Sequence, residues 1–128
     1  MKQPIWLSEE AVVSFHEISL SMFGGPIGIR DIGLLRSALD RPRNRFTYEE
    51  TSLPELAATY ATSIIQNHPF IDGNKRTGFI SMVVLLERNG LQFIAEEAES
   101  ALVTLELAAG TISEAQYAAW IQQNTVAK

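Results

Sequence analysis

The apolar positions of the N-terminal third recur at helical spacing. After Ser8, which has the side chain of an N-cap, apolar residues follow one helical face until Gly24-Gly25 ends the segment. A second helix is predicted to begin after Asp31 and to stop at Pro42, because proline lacks the amide hydrogen that a continuing helix needs. The next segment, "PRNRFTYEET", shows no helical stripe and is predicted to be an exposed loop or flap.

The most apolar helices are expected in the middle of the chain. "SLPE" at Ser52–Glu55 has the pattern of a capping box and predicts a helix through "LAATYATSIIQN". Another helix is predicted to begin near Asn74 and to end at Asn89-Gly90. Its run "FISMVVLL" is apolar nearly all round, which indicates a central, buried helix.

Two further helices are predicted in the last third. "LQFI" is interpreted as a short extended piece, followed by a helix that ends at Gly110 and a last helix capped by Ser113. Five or six helices without a convincing sheet predict an all-α fold. We find no linker or repeat, so residues 1–128 are interpreted as a single domain.

Composition narrows the functional classes. The net charge of −5 argues against a broad nucleic-acid surface, since such domains are usually basic. The chain contains no cysteine, which excludes a disulfide scaffold, thiol catalysis and cysteine-ligated zinc, and which fits a cytoplasmic protein. Neither a secretory signal nor an apolar run near the ~20 residues of a membrane span is found, so we expect no direct nucleic-acid or membrane partner.

A polar segment, "NHPFIDGNKRTGF", separates the two central helices. The first turn of a helix has unpaired amides and the positive end of the dipole, so it favours an anion. At this point Gly73 leaves the backbone open, Asn74 adds a polar group, and Lys75 and Arg76 add two cations. These four residues are predicted to hold phosphates.

Two other side chains suggest chemistry at the same loop. Asp72 beside bound phosphates is expected to bind Mg²⁺, which commonly bridges carboxylate and phosphate oxygens. His68 is a candidate general base, because its ordinary pKa of about 6.5 suits proton transfer near neutral pH. A base, a metal ligand and an anion site on one rigid loop favour phosphoryl transfer, with His68 and Asp72 as the catalytic residues.

The run His68 to Thr77, "HPFIDGNKRT", resembles the signature of the Fic/Doc superfamily, and its Doc (death-on-curing) branch most closely. Fic adenylyltransferases typically have His-Pro-Phe-x-(Asp/Glu)-Gly-Asn-Gly-Arg-x-x-Arg. Lys75 stands at their second Gly and Phe79 at their second Arg, and both differences are typical of Doc. "GLLRSALDRP", the chain length and the final "LAAG…W" stretch add to the resemblance.

The resemblance implies a compact Fic/Doc-type helical bundle and the toxin of a type II toxin–antitoxin pair. Doc-type proteins transfer the γ-phosphate of ATP, with Mg²⁺, to a threonine of elongation factor Tu and so inhibit translation. Their antitoxin is a partly disordered segment that folds into a groove of the toxin. By carry-over, His68 would be the base, Asp72 the Mg²⁺ ligand, and Gly73, Asn74, Lys75 and Arg76 would hold the phosphates of ATP.

Two other functions stay open from the sequence. One is an enzyme that transfers AMP instead of phosphate, against which Lys75 and Phe79 argue. The other is an inactive helical module in which the loop is structural or senses a nucleotide. Asp72 would also serve as a simple helix cap, and Lys75 and Arg76 as a solvated pair, although bases in a first turn oppose the dipole.

The remaining histidine and the arginines outside the loop are interpreted mainly as structural or surface residues. His16 is expected to be a hydrogen-bonded structural histidine with no catalytic role. Arg41, Arg43 and Arg45 flank the predicted flap and are interpreted as a solvated turn. The alternative is a docking patch for an acidic antitoxin or target, to which Arg30 would add.

Overall fold

The computed structural model describes residues 2–128, and this part of the chain holds six helices and two short strands. The elements, in chain order, are α1 (Glu9–Phe23), α2 (Ile32–Tyr48), α3 (Leu53–Asn67), α4 (Asn74–Arg88), β1 (Leu91–Phe93), α5 (Glu97–Ala109), α6 (Glu114–Gln123) and β2 (Thr125–Ala127). The predicted all-α class is confirmed. Among the described residues we find no helix with the length and apolar character needed to cross a membrane.

Local capping explains where most helices begin. The side chains of Ser8, Asp31, Ser52 and Ser113 each accept a hydrogen bond from an amide in the first turn of their helix. The predicted capping box at Ser52 is present, and Ser113 forms a second one. These four predicted helix starts are therefore confirmed.

Helix α3 lies at the centre of the bundle, in contact with α2, α4, α5 and α6. Every residue from Leu56 to Ile65 is buried. The predicted burial of α4 is correct for one side only, because Phe79, Ile80, Val83 and Val84 remain partly exposed. The most completely buried helix thus precedes the polar loop rather than follows it.

Small residues bring α3 and α4 close together. A Cβ added at Gly78 would lie 3.1 Å from the Ala61 carbonyl oxygen and 3.1 Å from the Ile65 side chain. These two helices therefore meet almost backbone to backbone. Because they are packed so closely, the loop that joins them is short and its ends are fixed.

Helix α2 continues past Pro42, so the predicted stop and the predicted flap are both wrong. Pro42 lies inside the helix and is buried, and the helix ends only at Tyr48. Contacts on both sides of the proline hold the helix together. Arg41 Nη1 bonds Glu114 of α6 at 2.6 Å, and Arg45 Nη1 bonds the same carboxylate at 3.1 Å. These ion pairs, together with the burial of Pro42, offset the amide bond that the proline cannot make.

A two-stranded antiparallel sheet joins β1 to β2, with Leu91 opposite Ala127 and Phe93 opposite Thr125. The extended piece predicted at "LQFI" is confirmed. Its partner strand was not predicted, and it connects the segment after α6 to the end of α4.

Candidate functional site

The polar loop begins at an unusual backbone position. His68 is the C-cap of α3, and its φ of 51° and ψ of 53° place it in the left-handed region. Within residues 2–128 it is the one residue other than glycine with positive φ. The following Pro69 disfavours the right-handed helical conformation at position 68, so the helix cannot continue through it. This turn leaves His68 exposed.

Phe70 anchors the loop to the core. Its side chain is fully buried, and its backbone is held by Asn74. The Phe70 amide donates to Asn74 Oδ1 at 3.0 Å, and Asn74 Nδ2 donates to the Phe70 carbonyl at 2.9 Å. Both halves of the Asn74 amide are therefore used within the loop. Only its backbone amide remains for the predicted role in phosphate binding.

The segment before α2 holds the first half of the loop. The amides of Arg30 and Asp31 donate to the Pro69 carbonyl at 2.7 and 3.0 Å, and the Ile71 amide donates to Gly28. The Arg30 side chain adds a bond of 2.7 Å to the His68 carbonyl and one of 3.1 Å to Asn67. Arg30 therefore caps the C-terminal end of α3 and braces the loop. The sequence suggested for it only a possible docking patch.

Helix α1 holds the second half of the loop. His16 is buried, and its Nε2 lies 2.7 Å from the carbonyl oxygen of Asp72. Its ring stacks on Phe70 at a centroid distance of 3.9 Å and an interplanar angle of 9°. The expectation of a structural, hydrogen-bonded histidine is confirmed, but its position directly behind the loop was not predicted.

The first turn of α4 presents free amide hydrogens. Its N-cap, Gly73, has no side chain to offer, and the first backbone bond of the turn is Thr77 to Gly73. The amides of Asn74, Lys75 and Arg76 have no acceptor within residues 2–128. With the helix dipole, these groups favour an anion.

The side chains of the two cations at this turn, Lys75 and Arg76, differ in how firmly contacts hold them. Lys75 is exposed, and none of its contacts within the described residues is an ion pair. Arg76 is half-buried, donates through Nε to Ser19 Oγ at 2.9 Å, and lies 5.0 Å from the centre of the Phe23 ring. Lys75 is therefore mobile enough to follow a ligand, whereas Arg76 is fixed against α1.

Asp72 directly precedes the N-cap of α4 and is exposed. Its carboxylate occupies space that a glycine leaves open, because a Cβ at Gly25 would come within 2.6 Å of Asp72 Oδ2. Within the described residues no three acidic or imidazole side chains converge as a metal site. One carboxylate next to a phosphate site nevertheless suits Mg²⁺, which keeps several waters and commonly takes oxygens from its substrate.

His68, Asp72 and the free amides of α4 thus lie on one loop, residues 68–76, in which both side chains are exposed; their predicted roles stay predictions. Two cavities, one along α2 and α3 and one near the α2–α3 connection, are lined by neither His68 nor Asp72. The side chains of His68, Asp72 and Lys75 are exposed at the surface of the loop. The loop suits a ligand whose other side is covered by a second macromolecule.

The arginines near the supposed flap are part of the fold. Arg41 and Arg45 pair with Glu114, and Arg45 also bonds Thr59 and Glu49. Arg43 lies over the ring of Trp6 at 5.5 Å. The interpretation as a solvated turn is wrong, because these residues belong to α2 and connect it to neighbouring elements.

Comparison with known proteins agrees with this arrangement. A family model described as "Fic/DOC family" matches residues 6–86. A protein of Escherichia phage P1 named "Protein kinase doc" is 37% identical over 108 residues, which cover 84% of this chain and 85% of that protein. A protein of Mycolicibacterium smegmatis named "Toxin Doc" is 36% identical over 94 residues, 71% of this chain and 69% of that protein. The chain therefore belongs to the Fic/Doc family.

Proposed function

We propose that the protein is a Doc-type toxin that transfers the γ-phosphate of ATP to a hydroxyl group of a protein, with elongation factor Tu as its target. The observation that carries the proposal is a single loop, residues 68–76, that holds the exposed His68 and Asp72 and the free amides that open α4. The names of the two relatives, a protein kinase and a toxin, support the same activity. Inhibition of translation in the cytoplasm would follow from that target.

In this proposal the first turn of α4 binds the phosphates of the nucleotide. The backbone amides of residues 74–76 donate to phosphate oxygens, and Lys75 supplies a mobile charge beside them. Arg76 contributes a fixed positive charge from its place against α1. Because the turn is already held by Phe70 and Asn74, little reorganisation is needed when the anion binds.

Asp72 would hold Mg²⁺, which supplies charge neutralisation between the phosphates when it is bound. His68 would accept the proton of the target hydroxyl, a role worth roughly 10²–10⁴-fold in rate. Its left-handed backbone and exposed side chain direct it away from the core. The target protein would then cover the open face of the loop.

Position 79 favours transfer of phosphate over transfer of AMP. AMP-transferring relatives carry an arginine there, whereas Phe79 in this chain contacts Phe93 of β1 edge to face at 6.0 Å. The side chain at 79 is therefore a packing residue and adds no charge to the anion site. Lys75, where those enzymes have glycine, adds bulk and charge, and would turn the nucleotide so that its γ-phosphate faces the hydroxyl.

We also propose a cognate antitoxin, with a partly disordered segment that folds on this domain. Large apolar side chains are exposed around the loop, namely Met22, Phe23, Ile27 and Ile71, with exposed fractions from 48% to 70%. Such a concentration of exposed apolar surface is typical of an interaction site. A segment seated there would lie against the loop that carries His68, since Ile71 belongs to that loop and Arg76 lies over the Phe23 ring.

The decisive experiment incubates the purified protein and elongation factor Tu with ATP labelled at either the α- or the γ-phosphate. We expect label from the γ-position only, and we expect none with His68→Ala or Asp72→Ala. Gln66→Ala, an exposed substitution next to the loop, is the matched control and should keep full activity. Label from the α-position would support AMP transfer instead.

Growth after expression separates the enzyme from an inactive module. Wild type should arrest growth, and His68→Ala should relieve the arrest while it remains folded. Equal growth with the two forms at equal protein levels would contradict a toxic enzyme.

A further inference from the structure

We propose that His16 is a positioning residue that directs the Gly73 amide hydrogen into the anion site. This inference rests on the proposed phosphate-binding role of the α4 turn and adds to it a donor and a residue that sets its direction. The observation behind it is that one buried side chain of α1 contacts the loop at Phe70 and at Asp72 and lies close to Gly73.

The hydrogen bond determines which ring nitrogen carries a proton. A carbonyl oxygen only accepts, so His16 Nε2, which lies 2.7 Å from the Asp72 oxygen, must be the donor. The side chain is 2% exposed, so water cannot easily replace this bond. The Asp72 carbonyl is therefore held toward α1.

The hydrogen bond from His16 to the Asp72 carbonyl also orients the amide of Gly73. The Asp72–Gly73 peptide is trans, since the described chain contains no cis bond. In a planar trans peptide the C=O and N–H vectors point in opposite directions. When His16 draws the Asp72 oxygen toward α1, the Gly73 N–H points away from α1. This amide has no acceptor within residues 2–128, as expected for a donor that is reserved for a ligand.

The stacking of His16 on Phe70 and its closeness to Gly73 help to hold the loop in this orientation. The His16 ring lies flat on Phe70, at 3.9 Å and 9°. A Cβ built on Gly73 would be 3.5 Å from His16 Cδ2 and 3.7 Å from Nε2, so this edge of the ring lies close to the N-cap of α4. His16 therefore contacts the loop from its buried side, where α1 packs. It is too buried to contact a protein target.

The test uses two variants of His16: one keeps the stacked ring without the hydrogen-bond donor, and the other keeps a donor without the ring. His16→Phe keeps a flat ring on Phe70 but cannot donate, and His16→Gln keeps a donor but loses the stacked ring. Thr104→Val is the matched control for stability, because it removes one buried hydrogen bond, of 2.9 Å to Tyr117, between α5 and α6.

In the transfer assay we expect the kcat of His16→Phe to fall about 10- to 100-fold, the scale of a small misplacement of a reacting group. The KM for the protein target should stay within about twofold, since catalytic geometry changes and the target surface does not. His16→Gln should recover part of kcat. Thr104→Val should keep the wild-type kcat despite its lower stability. A folded His16→Phe with the wild-type kcat would overturn the proposal.

A second measurement does not depend on transfer activity. In protein labelled with ¹⁵N-glycine, the Gly73 amide signal should shift when ATP and Mg²⁺ are added to the wild type. The shift should fall by at least half in His16→Phe, while the signal of Gly110, at the C-cap of α5, stays unchanged. Equal Gly73 shifts in the two proteins would overturn the positioning role. A wild type that shifts but transfers no phosphate would contradict the proposed reaction and leave this role supported.

Discussion

The polar loop is held by the buried side-chain amide of Asn74. We expect the substitution Asn74→Ala to lower the free energy of unfolding substantially. In Asn74→Ala the Phe70 amide and carbonyl would both lose their partners, which now lie at 3.0 and 2.9 Å. Phe70 is 0% exposed and Asn74 is 5% exposed, so water has little access to either group. An unsatisfied buried polar group costs about 1–3 kcal/mol, so two such groups should cost about 2–6 kcal/mol.

The assay is thermal and urea unfolding followed by circular dichroism. For a chain of this size, each kcal/mol lowers Tm by about 4 °C, so Asn74→Ala should unfold about 8–24 °C below wild type. Lys75→Ala is the matched control, because its side chain is exposed on the same turn. It should stay within about 0.5 kcal/mol of the wild type.

Asn74→Asp provides a pH-dependent version of the same test. A carboxylate would still accept from the Phe70 amide but would face the Phe70 carbonyl with no proton to donate. Burial should raise the pKa of this carboxyl above its ordinary value, so the folded state binds a proton more tightly than the unfolded state. The loss of stability should therefore be greater at pH 7 than at pH 5.

If Asn74→Ala unfolds within 0.5 kcal/mol (~2 °C) of wild type, the loop is not held by this amide and our account of its rigidity is wrong.

Three further predictions concern stability. Glu114→Ala should cost about 0.5–2 kcal/mol in urea unfolding, because it removes the carboxylate shared by two partly exposed ion pairs, to Arg41 and Arg45; a loss below about 0.3 kcal/mol would mean that these pairs do not hold α2 together. Burial raises the pKa of Tyr117 to about 12. The unfolded chain therefore releases this proton first, and stability should fall as pH rises from about 10 towards 12; Tyr117→Phe should flatten that part of the profile, and an unchanged slope would contradict the assignment. Arg30→Lys should lose the bonds to the carbonyls of residues 67 and 68 and speed hydrogen exchange of the loop amides, and unchanged exchange rates would show that Arg30 does not brace the loop.

The parts of the fold that the sequence predicts correctly are those with short-range causes. Ser8, Ser52 and Ser113 bond amides within their own first turns, and Gly110 ends α5 through its left-handed backbone. Each of these signals lies within a few residues of the helix end that it determines. A reader of the sequence needs no distant contact to find them.

The errors have long-range causes. Helix α2 passes Pro42 with the help of Glu114, which is 73 residues from Arg41 along the chain. Strand β2 has three residues and exists through its pairing with β1, so no local pattern marks it. Burial also followed the packing of neighbours, which enclosed the middle of α3 completely but α4 on one side only.

At the candidate site the motif identifies one polar loop, but it does not predict how the loop's side chains are held. The side chain of Asn74 is committed to Phe70, and that of Arg76 to Ser19. The hydrogen bonds that Arg30 and His16 make to the loop span 38 and 56 residues along the chain. A motif confined to the loop does not predict them.

The left-handed backbone of His68 has a consequence for genetic selection. A residue with a Cβ costs roughly 1–2 kcal/mol in this conformation, and glycine does not. Replacement of His68 by glycine should therefore remove the proposed base and at the same time strengthen the domain. Clones that survive selection against the toxin should include His68→Gly, and this variant should accumulate to higher levels than other inactive mutants.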